Sequence, residues 1–86
     1  MIIDVRESFE LEIAQIDGTV HIPMREIQNH LDEFNIEDEI IVHCKSGGRS
    51  AKICKLLIEN QFTNVKNVKG GILAWSREID SSIPQY

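Results

Sequence analysis

Ile40-Ile41-Val42-His43-Cys44-Lys45-Ser46-Gly47-Gly48-Arg49-Ser50 reads as a strand, a tight loop and the opening of a helix in one continuous stretch. Ile40 to Val42 is a short β-branched run, which suits a strand buried on both faces. Gly47-Gly48 permits a positive φ and lets the loop turn its backbone N–H groups inward. From Arg49 or Ser50 the pattern becomes helical: Ala51, Cys54, Leu57 and Ile58 are expected on one face, Lys52, Lys55 and Glu59 on another. Cys44 therefore lies at the mouth of a nest of amides, beside a helix N-terminus, between the cations Lys45 and Arg49.

That setting predicts chemistry. A helix N-terminus and neighbouring cations stabilise a thiolate, so the Cys44 pKa should fall below the free value of about 8.5. The thiolate is the nucleophilic form of cysteine. The same amides and cations can hold an anionic oxygen or sulfur group above it.

The segment resembles the active-site loop of the rhodanese-like sulfurtransferases. The resemblance implies that Cys44 is the catalytic residue, which becomes a persulfide and passes its outer sulfur to an acceptor. It implies a substrate-binding loop of Lys45, Ser46, Gly47, Gly48, Arg49 and Ser50. The loop is also similar to that of the Cys-dependent phosphatases and arsenate reductases, the alternative enzyme class. Those phosphatases place an arginine six residues after the cysteine; here Arg49 stands five after Cys44 and Ser50 takes the sixth place. The tighter loop is the sulfurtransferase form. A third reading, a rhodanese fold used only as a binding module, sits poorly with the presence of Cys44.

Working outward, Ile2-Ile3-Asp4-Val5-Arg6 reads as a first strand with Asp4 and Arg6 on one face. Asp-x-Arg at this place matches the rhodanese pattern, where it implies an architectural pair. Glu7 to Ile16 is a short helix candidate capped by Ser8, with Phe9, Ile13 and Ile16 at helical spacing. Glu7, Glu10 and Glu12 read as its solvated face. Asp17-Gly18 marks a turn, and Thr19 to Ile22 a second strand ended by Pro23. Gly18 to Pro23 resembles the family's Gly-Ala-x-x-Ile-Pro segment, although Ala14-Gln15 stands where the family often has Gly-His. Met24, Ile27, Leu31 and Phe34 predict a helix with one apolar face over Met24 to Phe34. His21 and His30 have no metal-ligand partner in the sequence and read as structural or surface residues.

Past the loop helix, which should run to about Gln61, Val65 to Val68 is the last strand. Gly70-Gly71 then opens a helix carrying Ile72, Leu73, Trp75 and Ile79. Gly-Gly-x-x-x-Trp is a further rhodanese feature, with glycines that let the backbone pass close to the active loop. Trp75 and Cys54 read as core residues, and residues 80–86 as irregular. Strands alternating with helices predict a parallel sheet with right-handed crossovers and a site at the strand carboxyl ends. The resemblance implies a three-layer α/β/α fold around a mostly parallel sheet of four to five strands. It covers residues 1–86 as one domain, with the family's opening strand and helix expected before Met1. The ending from Trp75 to Tyr86 resembles that of rhodanese domains fused behind adenylyltransferases that activate sulfur carriers.

Composition limits the remaining choices. The chain has 86 residues, 42% hydrophobic and 27% charged, with a net charge of −5. An acidic chain argues against nucleic acid and against an anionic membrane surface. No run approaches the ~20 apolar residues that a membrane span needs. Two cysteines make neither a disulfide framework nor a metal spacing, and no signal peptide pattern opens the chain, so a cytoplasmic home is expected. The resulting expectation is a cofactor-free sulfurtransferase. It takes sulfane sulfur from a small anionic donor such as thiosulfate and gives it to a thiol or sulfur-carrier protein.

Overall fold

The short apolar runs form strands where they can be covered on both sides. A computed structural model of residues 1–86 shows β1 (Ile2–Asp4), β2 (Val20–His21), β3 (Ile40–His43) and β4 (Val65–Asn67) in one sheet of order β2-β1-β3-β4. All three pairings are parallel. The register sets Asp4 level with both His21 and His43, and Val42 level with Asn67. The carboxyl ends of the strands therefore lie together, and the loop after His43 leaves from the central one.

Three helices connect the strands, α1 (Ser8–Ile13), α2 (Ile27–His30) and α3 (Gly48–Glu59), and α4 (Gly71–Glu78) follows the last one. The sheet carries helices in a three-layer α/β/α arrangement. One core cluster packs Ile3, Val5, Ile40 and Val42 against Ile27, Ile53 and Leu57. A second, smaller one joins Ala14, Ile16, Ile72 and Ile83, with Trp75 and Tyr86 against it. Trp75 is half-buried at the edge of this smaller cluster, short of the full core position expected of it. No helix is long and apolar enough to cross a membrane.

Several elements differ from their sequence expectation. Glu7, not Ser8, occupies the α1 cap position, and the Glu7 N–H donates to Glu10 Oε2 at 2.8 Å. Phe9 and Ile13 are exposed while Glu10 is buried, which reverses the expected faces of α1. The stretch from Met24 to Glu33 is broken into a 3-10 turn, one turn of α-helix and a second 3-10 turn. Its apolar positions still meet the core through Ile27, Met24, Leu31 and Phe34. On α3 the inner face is Ser50, Ile53 and Leu57, whereas Ala51 and Ile58 face solvent and Cys54 is half-buried.

Candidate functional site

The loop between β3 and α3 wraps around one sulfur atom. Gly47 sits at the α3 N-cap with φ +109°, which only glycine adopts without strain, and this turns its N–H onto Cys44 Sγ at 3.1 Å. The first turn of α3 brings the Ser50 N–H to 3.4 Å and Ser50 Oγ to 3.4 Å from the same sulfur. Cys44 is 1% exposed. Burial pushes its thiol up, but the Ser50 hydroxyl and the amides of Ser50, Gly47 and Ser46 together outweigh burial and hold it below the ordinary value. Cys54 has burial without donors, and its thiol is pushed up. The two cysteines differ in their surroundings as a reactive and an inert thiol do.

A second glycine pair holds the loop in place. Gly71 has φ +62°, and a Cβ there would lie 2.5 Å from the Cys44 carbonyl oxygen and 2.4 Å from that of Lys45. That close approach lets Ile72 N–H donate to Cys44 O at 2.9 Å and Leu73 N–H to Lys45 O at 3.1 Å. The loop amides point to the sulfur because the loop carbonyls are bound from behind by the start of α4.

The expected cations behave differently from the amides. Arg49 turns its guanidinium to Glu10, donating from Nη1 to Oε2 at 2.7 Å and from Nη2 to Oε1 at 2.8 Å. Arg49 holds the Glu10 carboxyl down at about 2. Lys45 Nζ lies 4.7 Å from the centre of the Tyr86 ring, a cation–π contact. Cys44, Gly47 and Ser50 therefore converge directly, and Ser46 adds its backbone. Gly48 opens α3 and leaves the space beside its Cα clear. Arg49 and Lys45 border the site while engaged with protein groups.

Beside them lies a buried ionic cluster built on Asp4 and Arg6. Asp4 and Arg6, both fully buried, pair through Arg6 Nη2 and Asp4 Oδ2 at 2.7 Å and through Arg6 Nε and Asp4 Oδ1 at 3.0 Å. The Asp4–Arg6 pair is architectural, as its sequence pattern implies. Arg6 also donates to Ala14 O at 2.8 Å and to the Tyr86 hydroxyl at 2.6 Å, and that hydroxyl donates to Glu10 Oε1 at 3.0 Å. His43, also fully buried, places Nε2 3.8 Å from Asp4 Oδ2, and burial keeps its pKa low. His21 Nε2 is 2.7 Å from Arg6 O.

Three residues bordering this site escape sequence reading: Glu10, Tyr86 and Asn67. Glu10 sits among acidic neighbours and looks solvated, Tyr86 lies in an irregular tail, and Asn67 ends an ordinary strand. Only the pairing of Glu10 with a distant arginine could have marked it, and one sequence does not carry that signal.

The family model of the rhodanese-like domain matches residues 1–78. The chain belongs to the rhodanese-like domain family. It is 40% identical over 77 residues to a putative sulfurtransferase of Bacillus subtilis, covering 90% of this chain and 74% of that protein. It is 38% identical over 95 residues to the adenylyltransferase and sulfurtransferase UBA4 of Debaryomyces hansenii, covering all of this chain and 21% of that protein. A solved rhodanese-related protein of Thermoplasma volcanium superposes with a TM-score of 0.82 at 32% identity, over 91% of this chain and 77% of that one. The rhodanese-like/PpiC domain-containing protein 12 of Arabidopsis thaliana is 39% identical over 89 residues; this rhodanese-like chain covers 99% of itself there but spans 30% of that protein.

Proposed function

We propose that this rhodanese-like domain is a sulfurtransferase working through a persulfide on Cys44, with a small anionic sulfane donor such as thiosulfate. The observation that carries this reading is the convergence of the Gly47 and Ser50 amides on Cys44 Sγ. The Cys44 thiolate attacks the outer sulfur of the donor. A Cys–S–S bond forms, the S–S bond of thiosulfate breaks, and sulfite leaves with the bonding pair. Amides that stabilise the thiolate are placed to stabilise the anionic outer sulfur of the persulfide. An acceptor, such as cyanide in an assay or a thiolate in the cell, attacks that outer sulfur and restores the Cys44 thiolate. No cofactor is required by covalent catalysis through one thiol.

Lys45 and Arg49 guide the anionic donor while the amides from Ser46 to Ser50 hold the transferred sulfur. Acceptors in the cell are a thiol or a sulfur-carrier protein in the cytoplasm; the likeness to adenylyltransferase–sulfurtransferases supports the carrier. The test incubates the chain with thiosulfate and then cyanide. Thiocyanate formation, with one added sulfur on the Cys44 peptide that cyanide removes, is the expected result. Hydrolysis of an aryl phosphate without any sulfur adduct would transfer the assignment to the phosphatase class.

A further inference from the structure

Beside Cys44 lies a side-chain network that the transfer steps leave unused. Ser50 Oγ is surrounded by three acceptors: Asn67 Oδ1 at 2.5 Å, Gly47 O at 3.2 Å and Cys44 Sγ at 3.4 Å. A hydroxyl has one proton to donate. Ser50 is fully buried, so its hydroxyl proton is shared among these three protein acceptors. Asn67 comes from β4, where its backbone is level with Val42, and its Nδ2 donates to Gly47 O at 3.2 Å. That bond fixes which end of the amide faces Ser50. Turning the amide over would set Oδ1 against the Gly47 carbonyl, acceptor against acceptor. Asn67 therefore presents an acceptor to Ser50 at the shortest of the three distances, which favours the Ser50 proton on that side while Cys44 is a thiol.

With its proton on Asn67, Ser50 offers only a lone pair to the sulfur. That arrangement suits a protonated Cys44 thiol, which can donate to Ser50 Oγ. A thiolate or an anionic persulfide needs the opposite arrangement, in which the Ser50 hydroxyl turns and donates to sulfur. We infer that Asn67 is a positioning residue of the Cys44 site: it competes for the Ser50 proton and so couples the direction of that hydroxyl to the ionisation of Cys44. No proton leaves Ser50 in the switch; its hydroxyl rotates, the Cys44 proton goes to solvent, and the exposed Asn67 amide is rehydrated. The lowered Cys44 thiol agrees with a Ser50 hydroxyl that can reach the sulfur. The inference rests on Cys44 being the reactive thiol.

The test reads the ionisation of Cys44 in the resting protein, without any sulfur donor. Iodoacetamide alkylation of the Cys44 peptide is followed by mass spectrometry across pH for the wild type, Asn67→Ala, Asn67→Leu, Ser50→Ala and the double variant Asn67→Ala/Ser50→Ala. Removing Asn67 should lower the apparent Cys44 pKa by up to about one unit, the worth of the neutral Ser50–Asn67 hydrogen bond that ionisation then no longer breaks. Ser50→Ala should raise it, and Asn67→Ala should have no further effect in the Ser50→Ala background. Asn67→Leu keeps the bulk of the side chain and carries the same expectation if the alanine variant folds poorly. An unchanged or raised Cys44 pKa in both folded Asn67 variants overturns the inference. So does a shift that persists in the Ser50→Ala background, since Asn67 would then act through Gly47. Either outcome leaves sulfur transfer standing, whereas a missing sulfur adduct on the wild type counts against the transfer reading alone.

Discussion

The sulfur cradle and the ionic cluster beside it are both polar, buried and close together, yet they are finished in opposite ways. In the cradle, donors from Gly47 and Ser50 converge on one atom that can change its charge and its bonding partner. In the cluster, Arg6 and Glu10 are filled by protein groups: Asp4, Ala14, Tyr86, Arg49 and the Glu7 amide. A convergent but uncommitted set of donors makes a place for chemistry. A saturated network makes a rigid support, because a buried polar group with its partners in place is costly to disturb. The comparison teaches that burial of charge in this domain serves two ends, told apart by whether the partners are already supplied.

The sharpest break between the regions should come from Cys44→Ser. Sulfur transfer should fall to background while the urea midpoint stays close to that of the wild type, since one atom changes in a nearly isosteric side chain. Cys54→Ser should keep most of the activity. A dead but well-folded Cys54 variant would show that the cradle does not hold the only working thiol.

The opposite pattern is expected in the cluster. Arg6→Met leaves Asp4 as a buried carboxylate without its partner, and breaking such a pair costs about 3–5 kcal/mol. A small domain has only about 5–15 kcal/mol in total, so this variant should be largely unfolded when warm. Urea titration measures the loss. Whatever fraction remains folded at low temperature should retain sulfur transfer per folded molecule, because Arg6 does not touch Cys44.

Acid should expose the cluster as well. Glu10 is held at about 2 by Arg49, against an ordinary 4.5. Its folded pKa is depressed, so the stability it contributes is fully present above about 4.5 and is lost as the pH falls from there towards about 2. The wild type should therefore lose more stability than Glu10→Gln across that window, and the two urea midpoints should approach each other as the pH falls. Parallel curves would mean that the Arg49–Glu10 pair adds nothing to folding.

Within the cradle's rim, Lys45→Ala tests charge guidance. A charge-assisted contact to the donor, less the cation–π contact with Tyr86 that binding gives up, is worth about 1–2 kcal/mol, roughly five- to thirtyfold in KM for thiosulfate. An uncharged persulfide donor should be affected much less. Equal losses with both donors would assign Lys45 to the ionisation of Cys44 or to the fold.

The same division explains what could be read from the chain. The cradle is contiguous, so Cys44, Gly47 and Ser50 stand close in sequence and the positive φ of Gly47 follows from the turn it must make. The strands were legible because short β-branched runs mark Ile2-Ile3 and Ile40 to Val42, and Pro23 ends the run that holds β2. The cluster is assembled from positions 4, 6, 10, 49 and 86, and only its Asp4–Arg6 part is local. Apolar periodicity misplaced α1 because its inner position is given to Glu10, while Phe9 is 63% exposed. On α3, Ser50 faces inward because the sulfur lies there, and the expected apolar stripe is rotated accordingly. Hydrophobic pattern finds faces that meet oil-like cores; it does not find faces that meet a buried salt bridge or a buried thiol.

The smallest effect should come from Tyr86→Phe, and it separates the two regions most finely. The substitution removes only the hydroxyl that accepts from Arg6 and donates to Glu10. Arg6 keeps Asp4 and Ala14 O, and Glu10 keeps Arg49, so the loss should be about 0.5–1.5 kcal/mol in a urea titration. The ring remains beneath Lys45, so the KM for thiosulfate should not move. A KM that rises with Tyr86→Phe while stability is unchanged would put the hydroxyl on the cradle's side of the divide. Arg49 links the regions through Glu10, so such a result would mean that the ionic cluster sets the position of Arg49 for the donor as well as supporting the loop from below.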